Sequence, residues 1–212
     1  MISIISLLIS ILLPALGSAR KAAQAIACAS NLRQLAIAFH TYATDHDSWI
    51  PPANMNGGPK QSWASRLDGN YLTAKGPVYK CPSQDDPYLG WLSYRYPQTF
   101  GNLNTNWEPT PAYFLLRNLD RFKKPMGKIV MLIDANSTGS PSPQWIYSPG
   151  LGGLLDSPTY AVAALRHYGA GSINVTWLDG HVAPQTERDI RSWEFYQWGH
   201  AGGGGVHAYP TY

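Results

Sequence analysis

The sequence predicts an α+β fold in which one long N-terminal helix packs against a small antiparallel β-sheet with long irregular loops. Three observations support this prediction. An apolar run opens the chain and continues at helical spacing to about His46. Two later segments, residues 128–134 and 172–178, have the composition of buried strands. The 20 Gly and 17 Pro among 212 residues favour turns and loops over further long elements.

The first part of the helix is apolar on every face. Residues 1–19 carry no charge and would span roughly 28 Å at ~1.5 Å per residue, close to the ~30 Å hydrocarbon core of a bilayer. A secretory signal peptide is the alternative, although no basic residue precedes the run. We expect Pro14 to kink or locally melt the helix. The side chains that we expect to be covered by lipid or by other copies of the helix are Ile4, Ile5, Leu7, Leu8, Ile11, Leu12, Leu13, Pro14 and Leu16.

The predicted sheet comes from the second half of the chain. Residues 128–134 and 172–178 are its two buried strands. Asp179-Gly180 follows the second strand directly and is typical of a two-residue hairpin, so residues 181–183 should return antiparallel. We assign residues 160–166 to a third strand, with a short helix as the alternative.

The chain divides into three predicted parts. They are an N-terminal helix at 1–47, whose part to be covered by lipid or by other copies of the helix is 1–19, a globular head at 48–190, and an aromatic and Gly-rich C-terminal tail at 191–212.

Composition excludes a nucleic-acid partner. The 16 basic and 13 acidic residues give a net charge of +3, and the longest basic runs are the pairs Arg20-Lys21 and Lys123-Lys124. The low charged fraction of 14% beside 12% aromatic residues favours a surface outside the cytoplasm. No Gly-rich phosphate loop is recognisable.

The two cysteines are the first candidates for chemistry. Cys28 lies on the predicted helix and Cys81 follows the loop region. Two thiols alone cannot complete a zinc site, so we predict no metal here and favour a disulfide, with two unlinked thiols as the alternative. Such a bond would stabilise the head by roughly 4 kcal/mol in the chain-entropy model.

The remaining polar groups give no pattern of an enzyme. Asp179 and His181 are a catalytic pair by residue type, but the hairpin already accounts for Asp179 and no nucleophile motif accompanies them. A second group has no established metal-ligand spacing, and we interpret it as a solvated helix end. Its members are His40, Asp45, His46 and Asp47.

Aromatic residues form two clusters, near residues 91–96 and 193–198. Rings of this kind stack on sugars, or they belong to a core or a subunit interface. The candidates for either role are Trp91, Tyr94, Trp193 and Trp198.

The order of several segments resembles a type IV pilin-like protein of the pseudopilin group abundant in planctomycete- and verrucomicrobium-type bacteria. The segments are ISLLISILLPALGSARKAAQ, CASNLRQLAIAFHTYATDHDSWIPP, VYKCPS, KIVMLIDANS and RHYGAGSINVTWLDGHV. The first is similar to the apolar stalk of that family, including the mid-stalk proline at Pro14. The last resembles the family's His-to-Asp-Gly signature, which falls here on His167, Asp179 and Gly180.

The start of the chain departs from the family's pattern. Residues 1–5 show no basic leader, no glycine before the apolar run and no glutamate within it. Two explanations stay open: the start lies inside the stalk, or the subunit enters its filament without that glutamate.

The resemblance implies a structural subunit of a type IV pilus-like or type II secretion pseudopilus filament. Its stalk would sit in the inner membrane until the pilus or secretion assembly machinery moves it into a helical homo-oligomer, with the heads facing outward at the cell surface. The resemblance implies no catalysis and no cofactor. Calcium occurs in some pseudopilin heads, but no matching ligand motif is present, so Asp134 and Asp179 are weak candidates only. The alternative is a membrane-anchored extracytoplasmic glycan-binding module.

Overall fold

The structure of the protein is a computed structural model, and it confirms the predicted α+β class. The helices are α1 (Ile2–Asp45), α2 (Trp63–Leu67) and α3 (Glu187–Ser192). The strands are β1 (Asn54–Met55), β2 (Tyr94–Pro97), β3 (Asn102–Leu103), β4 (Val130–Asn136), β5 (Trp145–Ile146), β6 (Val162–Ala163), β7 (Ser172–Trp177) and β8 (Val182–Thr186). The residues that the structure describes are 2–52, 54–55, 63–84, 92–97, 102–103, 118–121, 125–136, 145–146, 162–163, 165–167 and 171–192.

The helix α1 is one unbroken element of 44 residues, roughly 66 Å long at ~1.5 Å per residue. It continues through Pro14 and ends one residue before the predicted His46. Asp47 and Ser48 follow with positive φ values of 48° and 64°, and the Ser48 N–H donates to the carbonyl of Ala43 at 2.9 Å. This left-handed turn stops the helix and directs the chain into the head.

The environment of α1 changes near Gln24. Every side chain from Ser3 to Ala23 is exposed, whereas one face of the second half is buried against the head. A single buried stripe is what an amphipathic helix presents to a core. The buried positions on α1 are Ala25, Cys28, Leu32, Leu35, Ala36, Ala38, Phe39 and Ala43.

The sheet supplies the other side of the core. Strands β2, β4, β7 and β8 lie in that order and pair antiparallel, while β5 joins β2 in parallel and β6 joins β4. Strands β1 and β3 form a separate parallel pair. The central strands β4 and β7 are buried along almost their whole length. Within the described residues the helix α1 contacts β7 and β8, so its second half packs against this side of the sheet.

Aromatic rings fasten the end of α1 to the segments that follow it. The ring of Phe39 lies 5.4 Å from that of Trp63 in α2, and Trp63 lies 6.5 Å from Tyr79. All three side chains are fully buried. Tilted ring pairs at these distances add to the free energy gained by burial.

The two predicted buried strands are confirmed. The strand predicted at 128–134 runs from Val130 to Asn136, after a turn of 3₁₀ helix at Met126–Lys128, and the strand predicted at 172–178 is β7. Within the segment 160–166, strand structure is described only at Val162–Ala163, and it pairs with β4. The predicted tail from residue 193 lies outside the described residues.

The hairpin prediction is right in direction and wrong in loop length. The last pair of the β7–β8 ladder is Thr176 with Val182, and the Trp177 N–H still donates to the His181 carbonyl at 3.0 Å. Three residues therefore form the loop rather than two. The Gly180 N–H donates to the Trp177 carbonyl at 2.8 Å and Gly180 has a φ of 85°. A turn followed by one left-handed glycine is the usual three-residue hairpin, which also accepts Asp-Gly.

Candidate functional site

The first functional feature is the exposed front half of α1, which we call the stalk and define as residues 3–23. Eight of its predicted assembly residues are large apolar side chains that are each between 56% and 68% exposed, and Pro14 is exposed as well. By length and composition, the helix between Ser3 and Asp45 can cross a membrane, and the apolar window that decides this is 0% buried. The core helix of a soluble protein would be covered by its own domain, whereas this apolar window of α1 is not.

Side-chain hydrogen bonds fix the base of the stalk to the head. The Asn174 amide on β7 donates to the carbonyl of Ala25 at 2.9 Å, a contact that is buried. The Asn31 amide donates to the carbonyl of Lys80 at 2.9 Å. These bonds orient the helix where its exposed half begins.

The hairpin between β7 and β8 docks on the second half of α1. The Arg33 guanidinium donates to the Gly180 carbonyl. A Cβ atom at Gly180 would lie 3.4 Å from Nε2 of His40 and 3.8 Å from the Cβ atom of Ala36. These are ordinary contact distances, so it is the left-handed φ of Gly180 that favours glycine here. Asp179 and Gly180 therefore shape the turn that meets the helix.

Asp179 stabilises its own turn. Its Oδ1 atom accepts a hydrogen bond from the His181 backbone N–H at 3.0 Å and lies 2.6 Å from His181 Nδ1. Desolvation raises the pKa of Asp179, but these contacts with His181 outweigh it and lower the pKa below its ordinary value. Both side chains are more than 40% exposed. The pair is a surface turn contact with no nucleophile described beside it.

The second functional feature is a buried group of four side chains, Cys28, Cys81, Asp134 and His167, which we call the buried cluster. Cys28 comes from α1, Asp134 from β4, and Cys81 and His167 from segments next to β2 and β7. Their ligand atoms, one from each residue, all lie within 4.8 Å of one another. The cluster thus joins the base of the stalk to three parts of the head.

The backbone holds each of these residues in place. The Cys81 N–H donates to Oγ of Ser93 at 2.9 Å, immediately before β2. The His167 N–H donates to the Ser172 carbonyl at 3.0 Å, and the Ser172 hydroxyl donates back to the His167 carbonyl at 3.2 Å. Asp134 faces Tyr94 across the β2–β4 ladder. Backbone and side-chain hydrogen bonds to residues at the ends of β2 and β7, together with the pairing of β2 and β4, therefore hold Cys81, His167 and Asp134 in place.

The side chains make a continuous polar contact inside the core. His167 Nε2 lies 2.9 Å from Asp134 Oδ2 and 3.5 Å from the sulfur of Cys81. The thiol of Cys28 donates to the same carboxylate oxygen at 3.7 Å. The Tyr94 hydroxyl lies 3.4 Å from the Cys28 sulfur, and Arg166 Nε lies 3.6 Å from Asp134 Oδ2.

The electrostatics of the cluster reflect this crowding. The hydrogen bond with Cys28, helped by one with His167, lowers the pKa of Cys81 to about 7 in spite of desolvation. Burial alone would lower the pKa of His167, but the hydrogen bonds and charges of Asp134 and Cys81 outweigh it and raise the pKa to about 9. Burial also raises the pKa of Tyr94 well above 10, so its hydroxyl stays a hydrogen-bond donor.

Residues 17–68 match the model of a family described as "Protein of unknown function (DUF1559)". The matched segment begins in the stalk, covers the docked half of α1 and ends just after α2. No curated protein and no solved structure matches the chain. The match, the apolar N-terminal helix and the α+β fold fit a pilin-like surface protein anchored in a membrane or carrying a signal sequence.

The structure places the predicted site residues in different regions. Cys28 and Cys81 come together, but both are free thiols, so the disulfide is not formed in this structure and stays a prediction. His167 of the family signature joins them, whereas Asp179 and Gly180 lie in the docked hairpin.

The aromatic candidates are only partly described. Tyr94 is fully buried with its hydroxyl beside Cys28, so the prediction that its ring could stack on a glycan is wrong and the core interpretation holds. The other three, Trp91, Trp193 and Trp198, lie outside the described residues.

The sequence did not reveal the cluster. Two cysteines alone cannot complete a zinc site, and the fold supplies the other two groups, Asp134 and His167. Asp134 is 106 residues from Cys28, and His167 is 86 residues from Cys81, so no spacing motif exists. The available signal was a carboxylate at the end of an otherwise apolar strand, KIVMLID, since a buried charge needs partners.

Proposed function

We propose that the protein is a structural subunit of a type IV pilus-like or type II secretion pseudopilus filament, anchored in the inner membrane by its stalk before assembly. One observation carries the proposal: α1 is continuous, and its front half projects from the head with apolar side chains on all faces. A signal peptide or a simple membrane anchor would not need to continue, as one rigid helix, into the core of the head.

The stalk has no stable place in water. Burying an Ile or Leu side chain fully is worth about 1.5–3 kcal/mol, so the eight large side chains gain on the order of 10–20 kcal/mol when lipid or other stalks cover them, before association costs are subtracted. Lipid can cover them in the monomer, and neighbouring stalks can replace the lipid in a filament. The membrane-bound monomer and the filament would therefore cover the same apolar surface of the stalk.

Small residues make close stalk packing feasible. Ser3, Ser6, Ser10, Ala15, Gly17 and Ala19 interrupt the large side chains. Small side chains allow apolar helices to approach closely where no water competes. The hydroxyls of Ser10 and Ser18 donate to the carbonyls of Leu7 and Ala15, at 2.7 and 2.8 Å, so both serines are satisfied within their own helix.

The family match over residues 17–68 supports the same proposal. It begins in the stalk and covers the docked half of α1 and its exit into the head, which are the parts that join an assembly helix to a globular domain.

The test is electron microscopy of the full-length chain, purified in mild detergent and then exchanged out of it. We expect helical filaments whose core is a bundle of helices. Leu8→Lys places a charge in the stalk and should abolish filaments while the head stays folded. The matched control is Asn70→Lys, which adds the same charge at an exposed position of the head and should leave filaments intact.

Dispersed monomers or detergent-bound particles from the unmodified chain would contradict the proposal. Filaments that persist in Leu8→Lys would show that stalk packing does not hold the assembly together. The membrane-anchored glycan-binding module would then be tested next, by polysaccharide affinity of the same preparation.

A further inference from the structure

The buried cluster is the strongest unexplained feature of the head. Cys28, Cys81, Asp134 and His167 are each almost completely inaccessible to solvent, and Asp134 and Cys28 are 0% exposed. Oδ1 of Asp134 has no hydrogen-bond partner in the described part of the chain. A charged group buried in this way is costly unless it is paired or bound to a cation.

The contacts do not have the geometry of a nucleophilic triad. In a Cys-His-Asp triad the carboxylate and the thiol contact different nitrogens of the imidazole, so that the ring relays a proton between them. Here Asp134 and Cys81 both approach Nε2 of His167. Burial also denies the sulfur a substrate. The ligand atoms therefore converge on one point and do not form a proton relay. Such convergence is typical of a metal-coordination site.

The distances agree with a tetrahedral metal ion. Metal bonds of about 2.3 Å to sulfur and 2.0–2.2 Å to nitrogen or oxygen put neighbouring ligand atoms about 3.4–3.8 Å apart. The Cys81–His167 contact is 3.5 Å and the Cys28–Asp134 contact is 3.7 Å. The His167–Asp134 contact is shorter, at 2.9 Å, and the widest separation in the cluster is below 4.8 Å. Small side-chain shifts therefore suffice to close the site.

We propose that Cys28, Cys81, Asp134 and His167 bind one Zn²⁺ ion in a closed structural site that clamps α1 to the head. Two thiolates exclude Ca²⁺, which takes six to eight oxygen ligands. A set of two sulfurs, one imidazole and one carboxylate suits the borderline character of zinc. Four protein ligands leave no open position, so the ion is structural and takes no part in a reaction.

The charges of the loaded site balance. Zn²⁺, two thiolates, one carboxylate and the guanidinium of Arg166 sum to zero, with His167 neutral. Arg166 is placed for this by its 3.6 Å approach to Asp134 and by its Nη2 donation to the Ala135 carbonyl at 2.9 Å. The Tyr94 hydroxyl donates to the Cys28 sulfur and stabilises the thiolate. Binding releases the protons that the thiols and the imidazole hold in the metal-free chain.

The site has a mechanical position in the molecule. Cys28 lies one helical turn beyond Ala25, the first buried residue after the stalk. A metal at this point ties the stalk base to β4 and to the segments before β2 and β7. The inference does not depend on the proposed filament, because it concerns the fold of a single chain.

A disulfide between Cys28 and Cys81 would compete with metal binding for the same two sulfur atoms. It would bring them to about 2.05 Å and remove two of the four ligands. A chain therefore carries either the metal or the disulfide. Counting zinc and free thiols in one sample separates the two outcomes.

The experiment uses the full-length chain in mild detergent, isolated without added metal or chelator. We expect elemental analysis to find one zinc per chain, with both thiols free once the chain is denatured with chelator. Cys81→Ser and His167→Gln should each weaken zinc affinity by more than about tenfold, and so lower zinc occupancy when a chelator competes, since losing even an outer-shell partner costs about 10–100-fold in affinity. The matched control is His181→Gln, an exposed histidine that also pairs with an aspartate and should leave occupancy unchanged.

A second measurement does not depend on the variants being folded. The unmodified chain is stripped of metal under reducing conditions and titrated with Co²⁺ alone. A thiolate-to-cobalt charge-transfer band, with the intense visible bands of tetrahedral cobalt, is expected and should disappear when Zn²⁺ is added. Three results would each overturn the proposal: no uptake of either ion, unchanged zinc occupancy in Cys81→Ser, or a metal-free chain with a Cys28–Cys81 disulfide from the exporting cell.

Discussion

At the scale of single residues, Gly180 is the position where backbone conformation and helix docking meet. Its φ of 85° lies in the left-handed region, where a side chain costs roughly 1–2 kcal/mol. The nearest atom to an added Cβ would be Nε2 of His40 at 3.4 Å, an ordinary contact, so backbone strain is the larger effect. We therefore predict that Gly180→Ala lowers the free energy of unfolding by about 1–2 kcal/mol, measured by urea denaturation.

Gly171 supplies the matched control for that substitution. It precedes the same strand, β7, but its φ is not left-handed and an added Cβ would meet nothing within 4 Å. Gly171→Ala should change stability by less than about 0.5 kcal/mol. Equal losses in the two variants would mean that the turn conformation at Gly180 is not the cause.

The Asp-Gly pattern predicted the turn at Gly180 correctly, but it did not predict the length of the loop. Asp-Gly predicts a hairpin, and both a two-residue and a three-residue loop need a left-handed glycine at their end. The choice between them depends on the register of β7 and β8, which pairs Thr176 with Val182. Register is a property of two strands packed on a core, so the dipeptide alone could not decide it.

At the scale of elements, the second half of α1 holds the head together through one face. Leu35 is fully buried on that face, while Ile37, two residues later, is 57% exposed. Truncating a buried leucine to alanine costs about 2–5 kcal/mol, because a cavity is left as well as apolar area lost. We predict a loss of this size for Leu35→Ala in urea denaturation.

Ile37→Ala is the comparison for Leu35→Ala. It removes a similar number of methyl and methylene groups from the same helix but no buried contact, so it should cost less than about 0.5 kcal/mol. If the two variants lose equal stability, the assignment of the docked face is wrong.

Elements with a strong period were predicted well, and short ones were not. The end of α1 was predicted within one residue, and β4 and β7 were placed correctly, since long apolar patterns dominate there. The strand β5, described over two residues, was not predicted, and it pairs in parallel with β2. Its own residues carry little signal, and tertiary pairing decides where it forms.

At the scale of the whole molecule, the chain combines an enclosed core in the head with an uncovered apolar surface on the stalk. The head closes its own core, and the buried cluster lies inside it. The stalk leaves its apolar residues uncovered. The stalk could be predicted from the sequence because its apolar residues are continuous along the chain. The sequence could not reveal the cluster, which is assembled from residues as far apart along the chain as Cys28 and His167.

This division predicts where the chain can be cut. Deleting residues 1–22 removes side chains that are all exposed where they are described, from Ser3 to Ala22. It should yield a soluble, monomeric, folded head, because docking begins at Gln24 and Ala25. Deleting residues 1–31 also removes Cys28, the Ala25 carbonyl that accepts from Asn174, and Asn31. That variant should lose cooperative unfolding. Light scattering after size exclusion reports the mass, and circular dichroism during heating reports the fold.

The paired deletions test the boundary and the assembly surface together. If the 1–22 deletion still forms filaments, the stalk is not the assembly surface and the heads must associate directly. If instead it aggregates or fails to fold, the stalk contributes to the head's own stability, contrary to its complete exposure between Ser3 and Ala23. A folded monomer from the shorter deletion and an unfolded chain from the longer one would place the junction of stalk and head between residues 23 and 31, at the turns of α1 that contain Cys28.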